Sequence, residues 1–403
     1  MSTNRYIPLG DDVCLRSAWA RSGSLAFSND PDTIKEYLNR LDREKWCRVL
    51  VDENDELIAT LMSTRIGMFI CGSRVSAEAV GFVSIPPEHR GKRASVELMH
   101  HHLREAHENG SALSLLYSSR ARTYRRVGYE IAGRRSLIEI PLRSLRSRLY
   151  EGADTVSVRA MEDADLAAIR AFYCEQAQAI NGNLDRDDWF WGYTLGTYQK
   201  RMRPVFVFER EGVITGYMVI TNDADREGHK MGSTLEIHDL MLADAPTARA
   251  MIRFLSGFSS TRGIAMLPGD LSHPLLDHID ELWYKVERSY LWFVRVLSLE
   301  KAIAERGFNP CLRGEVMIEI EDDLFEHNRG VWKFVVENGK GRAERADSDA
   351  QIHMSIDAVG PVFTGFTSAS QLAKNDRIQG SREAIETLDG LFAAPTPWMP
   401  DDF

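Results

Sequence analysis

The sequence predicts a mixed α/β (α+β) protein of more than one domain. Three observations carry that prediction. The chain has 403 residues, more than one ordinary domain holds. Its first 145 or so residues alternate strand-like and helix-like runs in a distinctive order. That order then partly recurs, and a third mixed unit begins near Trp292.

Residues 32–42 space Ile34, Tyr37, Leu38 and Leu41 as a helix does. Three strand-like runs follow, CRVLVDE, LIATLMSTRIGMFI and RVSAEAVGFVSI. Turn residues at Glu53–Glu56 and Cys71–Ser73 part them, as antiparallel neighbours require. A helix is expected from about Lys92 to Glu108, with Val96, Met99, Leu103 and Ala106 at helical intervals and Asn109-Gly110 as its stop. The strand ALSLLYSS, a short helix around Ala121–Arg126 and the strand SLIEIPL complete the first unit. Tyr150–Asp154 reads as a linker. Beyond it come the helix DADLAAIRAFYCEQAQA, strands VFVFE, GYMVITN and LEIHDLMLAD, and the helix APTARAMIRFLSGFSS. Here the strand-to-helix junction Ala243–Thr247 lacks any basic or glycine-rich loop. The third unit reads as helix SLEKAIAERG, strands EVMIEIED, VWKFVVENG and IHMSIDA, and helices near Ser368–Lys374 and Ser381–Phe392.

Composition narrows the function classes. An apolar fraction of 44% and a charged fraction of 27% are those of a globular protein. No apolar run approaches the roughly 18 residues of a membrane span, and the opening MSTNRYIPLGDDV lacks the basic-then-apolar layout of a signal peptide. The net charge of −10 argues against nucleic acid as a partner and is compatible with a cationic substrate such as an amine. Cys14, Cys47, Cys71, Cys174 and Cys311 form no CxxC pair, and idle thiols in a reducing cytosol are expected.

One stretch points to chemistry. In FVSIPPEHRGKRAS a strand runs into a turn and a helix start through a basic, glycine-containing loop. A helix N-terminus offers unpaired N–H groups and a positive dipole end. Basic residues there are unfavourable without an anion, so Arg90, Lys92 and Arg93 together call for one. Pro86-Pro87 ends ladder pairing, because proline has no N–H to give.

These residues resemble the motif of the GCN5-related N-acetyltransferases (GNAT), a strand followed by R/Q-x-x-G-x-G/A. LLYSSRARTYRRVGYE is similar to that family's second motif. Over nearly its whole length the chain resembles the Eis (enhanced intracellular survival) acetyltransferases, most strongly at 80–130, at VRVLSLEKAIAERGF and at TPWMPDDF. The resemblance implies two tandem GNAT-like domains, the second degenerate, and a C-terminal sterol-carrier-protein-like α+β domain. The corresponding boundaries are 1–150, 151–291 and 292–403. It implies acetyl-CoA as co-substrate and no metal. Val83, Ser84 and Ile85 would meet the pantetheine through their backbone. Gly91, Lys92, Arg93, Ala94, Ser95 and Val96 would hold the pyrophosphate, with Ser119 and Arg120 nearby. Tyr124 would be the general acid, and the chain-end carboxylate of Phe403 the general base. Assembly into a homohexamer and a cytoplasmic location are further implications.

The chemistry asks for such groups. Acetyl transfer to an amine needs a proton acceptor for the amine, a donor towards the CoA thiolate, and N–H groups that polarise the thioester carbonyl. A free α-carboxylate is a weak base at its ordinary pKa of about 3.5 and needs burial or a water relay. The expected activity is therefore N-acetyl transfer to a primary amine, on an aminoglycoside, polyamine or lysine-type acceptor, by direct transfer in a ternary complex. The alternative is a non-catalytic acyl-CoA or ligand-binding protein on a degenerate GNAT scaffold. Arg93 supports that alternative, since it stands where such loops carry a second glycine, while Ala94 and Ser95 stay small. A lipid carrier working through the third domain is a more distant reading.

Other clusters are expected to be structural. His100, His101 and His102 are consecutive on a helix, cannot share a metal, and with His89 and His107 read as surface residues. Asp185, Asp187 and Asp188 before Trp189 and Trp191 read as a helix cap with buried aromatics, or as a lure for a cationic substrate.

Overall fold

The structure, a computed structural model, describes residues 4–145, 150–197, 202–224, 233–258 and 264–403. They form two compact units. One is drawn from Met1–Gly133, Leu291–Pro397 and Asp402–Phe403, the other from Arg134–Tyr290 and Trp398–Asp401.

In the first unit the strands Arg5–Pro8, Cys47–Val51, Leu57–Ile70 and Ser73–Ser84 are antiparallel neighbours in that order. Leu113–Tyr117 then lies parallel to Ser73–Ser84, from Ala77↔Leu113 to Val80↔Leu116. Trp292–Val296 closes on its far side in antiparallel register. The helix Ala94–Glu108 crosses from one parallel strand to the other and buries Leu98, Met99, Leu103 and Ala106 against Leu50, Leu61, Val80, Leu116 and Phe293. Each such aliphatic side chain contributes about 1.5–3 kcal/mol by leaving water. A second sheet in the same unit has the order Lys340–Arg345, Gly330–Glu337, Gly314–Glu321, Ile352–Ser355, Ile378–Gly380.

In the second unit Ile264–Gly269 pairs antiparallel with Ser136–Pro141 and parallel with the strand Ser233–Leu242. Val213–Ala224, Val205–Arg210 and Ser157–Ala160 continue that sheet with antiparallel pairing. The helix Ala245–Ser256 buries Ala248, Met251, Ile252 and Leu255 within this unit's core.

Several elements differ from the sequence expectation. The helix Val13–Phe27 is unforeseen, because its buried residues Trp19, Ala20, Ser22 and Gly23 include small and polar ones and form no plain apolar stripe. The cap expected at the aspartate cluster is present: Asp187 caps the helix Asp188–Leu195, with Phe190 N–H donating to its carboxylate at 3.0 Å, and Trp189 and Trp191 are buried. The run IHMSIDA splits into the strand Ile352–Ser355 and the start of the helix Ile356–Thr364. His102 corrects the reading of a histidine surface: it is fully buried. Three consecutive helical residues span about 200° of the helix surface, so one of them must face the core. Burial drives its pKa down to about 4, so it is neutral there. His107 stacks on His327 with ring centres 4.1 Å apart. No helix among the described residues is long and apolar enough to cross a membrane.

Candidate active site

The cleft begins where two parallel strands part. Pairing between Ser73–Ser84 and Leu113–Tyr117 ends at Val80↔Leu116, yet the first strand runs on to Ser84. Among the described residues, Gly81–Ser84 therefore has no strand partner on that edge. The parting starts upstream of Pro86-Pro87, so the prolines terminate the strand rather than open the sheet.

A β-bulge aims this free edge. Between Met62↔Gly81 and Thr60↔Ser84, Phe82 and Val83 together oppose Leu61. Phe82 takes a left-handed conformation, φ 52°. That conformation costs roughly 1–2 kcal/mol for a bulky residue, and the surroundings hold it. The Phe82 ring packs on Trp19, Phe27 and Tyr37 at centroid distances of 5.2, 5.2 and 5.7 Å. Thr60 Oγ1 donates to the Phe82 carbonyl at 3.2 Å. The hydroxyls of Ser22, Thr60 and Ser84 form a buried chain with spacings of 2.7 and 2.8 Å. Ser84 thus spends its side chain on the scaffold.

The candidate phosphate loop closes one end. Gly91 has φ 81° and Arg93 φ 61°. Arg93 is the N-cap of the helix Ala94–Glu108, and its side chain makes no capping hydrogen bond. The left-handed Arg93 is why the helix starts at Ala94 rather than Lys92. Glycine adopts this conformation without cost, so the loop keeps the glycine-type backbone of R/Q-x-x-G-x-G/A while carrying an arginine. The side chains of Arg90, Lys92 and Arg93 are exposed. Arg90 Nε donates to the Ile85 carbonyl at 3.2 Å, tying the loop to the strand end.

Together these elements line a cleft of about 520 Å³. Val83, Ser84, Ile85, Gly91, Arg93, Ala94, Ser95, Ser119, Arg120, Tyr124 and Phe403 all border it. Lys92 and Val96 do not; Val96 packs on the core. Sequence reasoning missed Gly81, Phe27, Tyr117 and Thr123 on its walls. A glycine inside a strand signals close backbone approach, and that signal could have found Gly81. A Cβ there would lie 2.8 Å from the main-chain carbonyl carbon of Phe403. No local signal marks Thr123.

Tyr124 sits on the short helix Ala121–Arg125, buried against the core with its ring edge-on to Tyr129 at 6.0 Å. Burial pushes its pKa up to about 12, so the phenol keeps its proton at neutral pH. The Phe403 ring meets Tyr117 edge-on at 5.2 Å. Just upstream, in the second unit, the tail is pinned. Trp398 N–H donates to Asn181, the Pro400 carbonyl accepts from Arg135 at 2.7 Å, and Asp401 pairs with the buried Arg186 at 2.9 Å.

Comparison with known proteins fits this geometry. Residues 16–132 and 182–296 each match an acetyltransferase (GNAT) domain family, and residues 299–400 match the sterol carrier protein domain family. An uncharacterised N-acetyltransferase of Streptomyces coelicolor is 25% identical over 96% of this chain and 97% of its own. The N-acetyltransferase Eis of Mycobacterium tuberculosis is 25% identical over 79% of this chain and 78% of its own. Among solved structures, a GCN5-related N-acetyltransferase from Anabaena variabilis superposes with a TM-score of 0.91 at 23% identity, covering 99% of this chain and 100% of the other. Eis1 from Mycobacterium abscessus gives 0.78 at 21% identity, over 99% and 100%. At those identities the two structures establish the fold. The chain is an acetyltransferase of GNAT type with Eis-like organisation, two GNAT domains followed by a sterol carrier protein domain.

Proposed function

We propose that this protein transfers the acetyl group of acetyl-CoA directly to a primary amine of a small-molecule or lysine-type acceptor, with Tyr124 as general acid and the Phe403 carboxylate as general base. One observation carries the reading: the unpaired edge Gly81–Ser84, the uncapped basic helix start, Tyr124 and Phe403 all border one cleft. The exposed cations of the loop suit a pyrophosphate. The unpaired strand edge suits the amide-bearing pantetheine, and its N–H groups suit a thioester carbonyl that gains negative charge as the amine attacks.

Proton bookkeeping assigns the two ends. The amine nitrogen forms a bond to the acetyl carbon and loses a proton to the carboxylate, directly or through water. The C–S bond breaks and the electron pair leaves on sulfur. A thiol of pKa about 8.5 is a stronger acid than a phenol near 12. Tyr124 therefore acts chiefly by donating a hydrogen bond to the leaving thiolate, because full transfer of the phenol proton to sulfur is uphill. Such an acid keeps its proton up to about pH 10. The alkaline limb of kcat should not fall below that pH on account of Tyr124, which a pH–rate profile checks.

The test is thiol release from acetyl-CoA against a panel of polyamines, aminoglycosides and lysine peptides. Turnover with saturable acceptor dependence is expected. Binding of acetyl-CoA without turnover on any amine favours the ligand-binding alternative instead. Appending a few residues after Phe403 displaces the carboxylate and should lower kcat about 10²-fold; undiminished activity removes it as the base. In this reading the second GNAT domain is degenerate, domain limits fall near 150 and 291, and the enzyme works in the cytoplasm as a homohexamer. Light scattering and fractionation test the last two points.

A further inference from the structure

The helix that carries Tyr124 is only five residues long, Ala121–Arg125. A helix of one turn has too few hydrogen bonds to persist by itself, so something outside it must set the direction of the phenol. Two clamps do so, and both bring in residues far along the chain. Downstream of the helix, Gly128 turns with φ 83°, and the buried Arg295 packs beneath it; a Cβ there would lie 2.7 Å from Arg295 Nε. Arg295 is itself held by Asp322, with Nη2 donating to both carboxylate oxygens at 2.6 and 2.8 Å.

The second clamp acts on the residue next to Tyr124. Arg125 grips the buried Glu130 through two nitrogens, Nε at 2.9 Å and Nη2 at 2.8 Å. Glu130 also accepts from Ile131 N–H at 2.9 Å and from Arg377 Nη1 at 2.9 Å. The other arm of Arg377 donates to Asp357 at 2.8 Å, on the first turn of the helix Ile356–Thr364. That helix returns a second tie, Thr364 Oγ1 donating to the Ala132 carbonyl at 2.7 Å. Burial opposes ionisation of Glu130, but its arginine partners outweigh it and hold the carboxyl below its ordinary value, so it is charged and both arginines stay paired at neutral pH.

We propose that Arg377 and Glu130 are positioning residues for acetyl transfer: the sterol carrier protein domain, through Arg377, fixes the Tyr124 helix by way of Glu130 and Arg125. This rests on the assignment of Tyr124 as the acid. It gives the C-terminal domain a task in the reaction that requires no lipid ligand. Misplacing a reacting group by a fraction of an ångström to an ångström costs about 10- to 100-fold. Arg377→Ala should therefore lower kcat about tenfold, with the acetyl-CoA dissociation constant within twofold of wild type. Arg377→Lys keeps a cation but loses the two-way fork, and should recover part of the loss.

A double-mutant cycle with Tyr124→Phe separates positioning from bulk stability. If Arg377 acts through the phenol, Arg377→Ala should cost less than twofold in the Tyr124→Phe background. An equal fall in both backgrounds, a wild-type kcat in Arg377→Ala, or a loss that follows lowered thermal stability across both Arg377 variants overturns the proposal. Should Tyr124→Phe alone keep wild-type kcat, the acid assignment fails first, and that outcome is visible before Arg377 is touched.

Discussion

The chain builds the same junction twice, a strand running into a helix, and finishes it in opposite ways. In the first GNAT domain the helix Ala94–Glu108 opens with a left-handed arginine, basic neighbours and no capping side chain. In the second the helix Ala245–Ser256 opens with Asp244, which accepts from Thr247 N–H at 3.0 Å and from the Thr247 hydroxyl at 2.7 Å, and pairs with Arg210 at 2.6 Å. Pro246 stands in its first turn, where a missing N–H does no harm. The second junction thus supplies its own anion, and the first leaves room for a foreign one. One carboxylate separates this structural helix start from the proposed binding site.

The comparison can be broken or sharpened by mutation. Tyr124→Phe tests whether the first junction serves chemistry at all. The ring and its packing remain while the O–H goes, and kcat should fall about 10²-fold with acetyl-CoA affinity kept; steady-state kinetics reads it, and an unchanged kcat removes the phenol from the reaction. Arg93→Asp transplants the second domain's cap into the first. Acetyl-CoA should then bind at least about tenfold more weakly, as an internal carboxylate competes for the helix start. Calorimetric titration measures this, and unaltered affinity would show that the loop does not hold the phosphates. Asp244→Ala is the mirror experiment: about 1 kcal/mol of stability lost and no change in acetyl-CoA binding. A weakened cofactor affinity there would mean that the second junction is no mere cap. Smallest of all, Arg93→Gly relieves the left-handed strain. It should raise stability by roughly 0.5–1 kcal/mol while loosening acetyl-CoA about threefold through loss of a charge-assisted contact. Tighter binding in that variant would show that the arginine obstructs the loop.

Much of the first junction is legible in the residues. Gly91, the three basic side chains and the strand-turn-helix order mark a candidate phosphate loop, since each depends on local backbone needs or local charge. Tyr124 is legible only through its place before Val127-Gly128-Tyr129. The helix Val13–Phe27 is not, because small buried residues leave no periodic signal. Nor is the bulge at Phe82, whose left-handed backbone is imposed by Thr60, Ser22 and three aromatic rings from elsewhere in the chain. His102 is hidden for the same kind of reason, since which member of a histidine run faces inward depends on the helix's rotation against the sheet.

By itself the sequence determined what short-range physics governs: the order of strands and helices, the turn glycines, and the basic helix start that asks for an anion. Tertiary structure alone decided where the parallel strands part, which backbone edge is thereby left unpaired, and that Arg295 and Arg377 reach back to brace the helix of Tyr124. Those outcomes depend on pairings across long stretches of chain, such as that of Glu130 with Arg377, 247 positions further on. No local preference encodes such a pairing, because its energy appears only once both partners have been carried out of water to the same place.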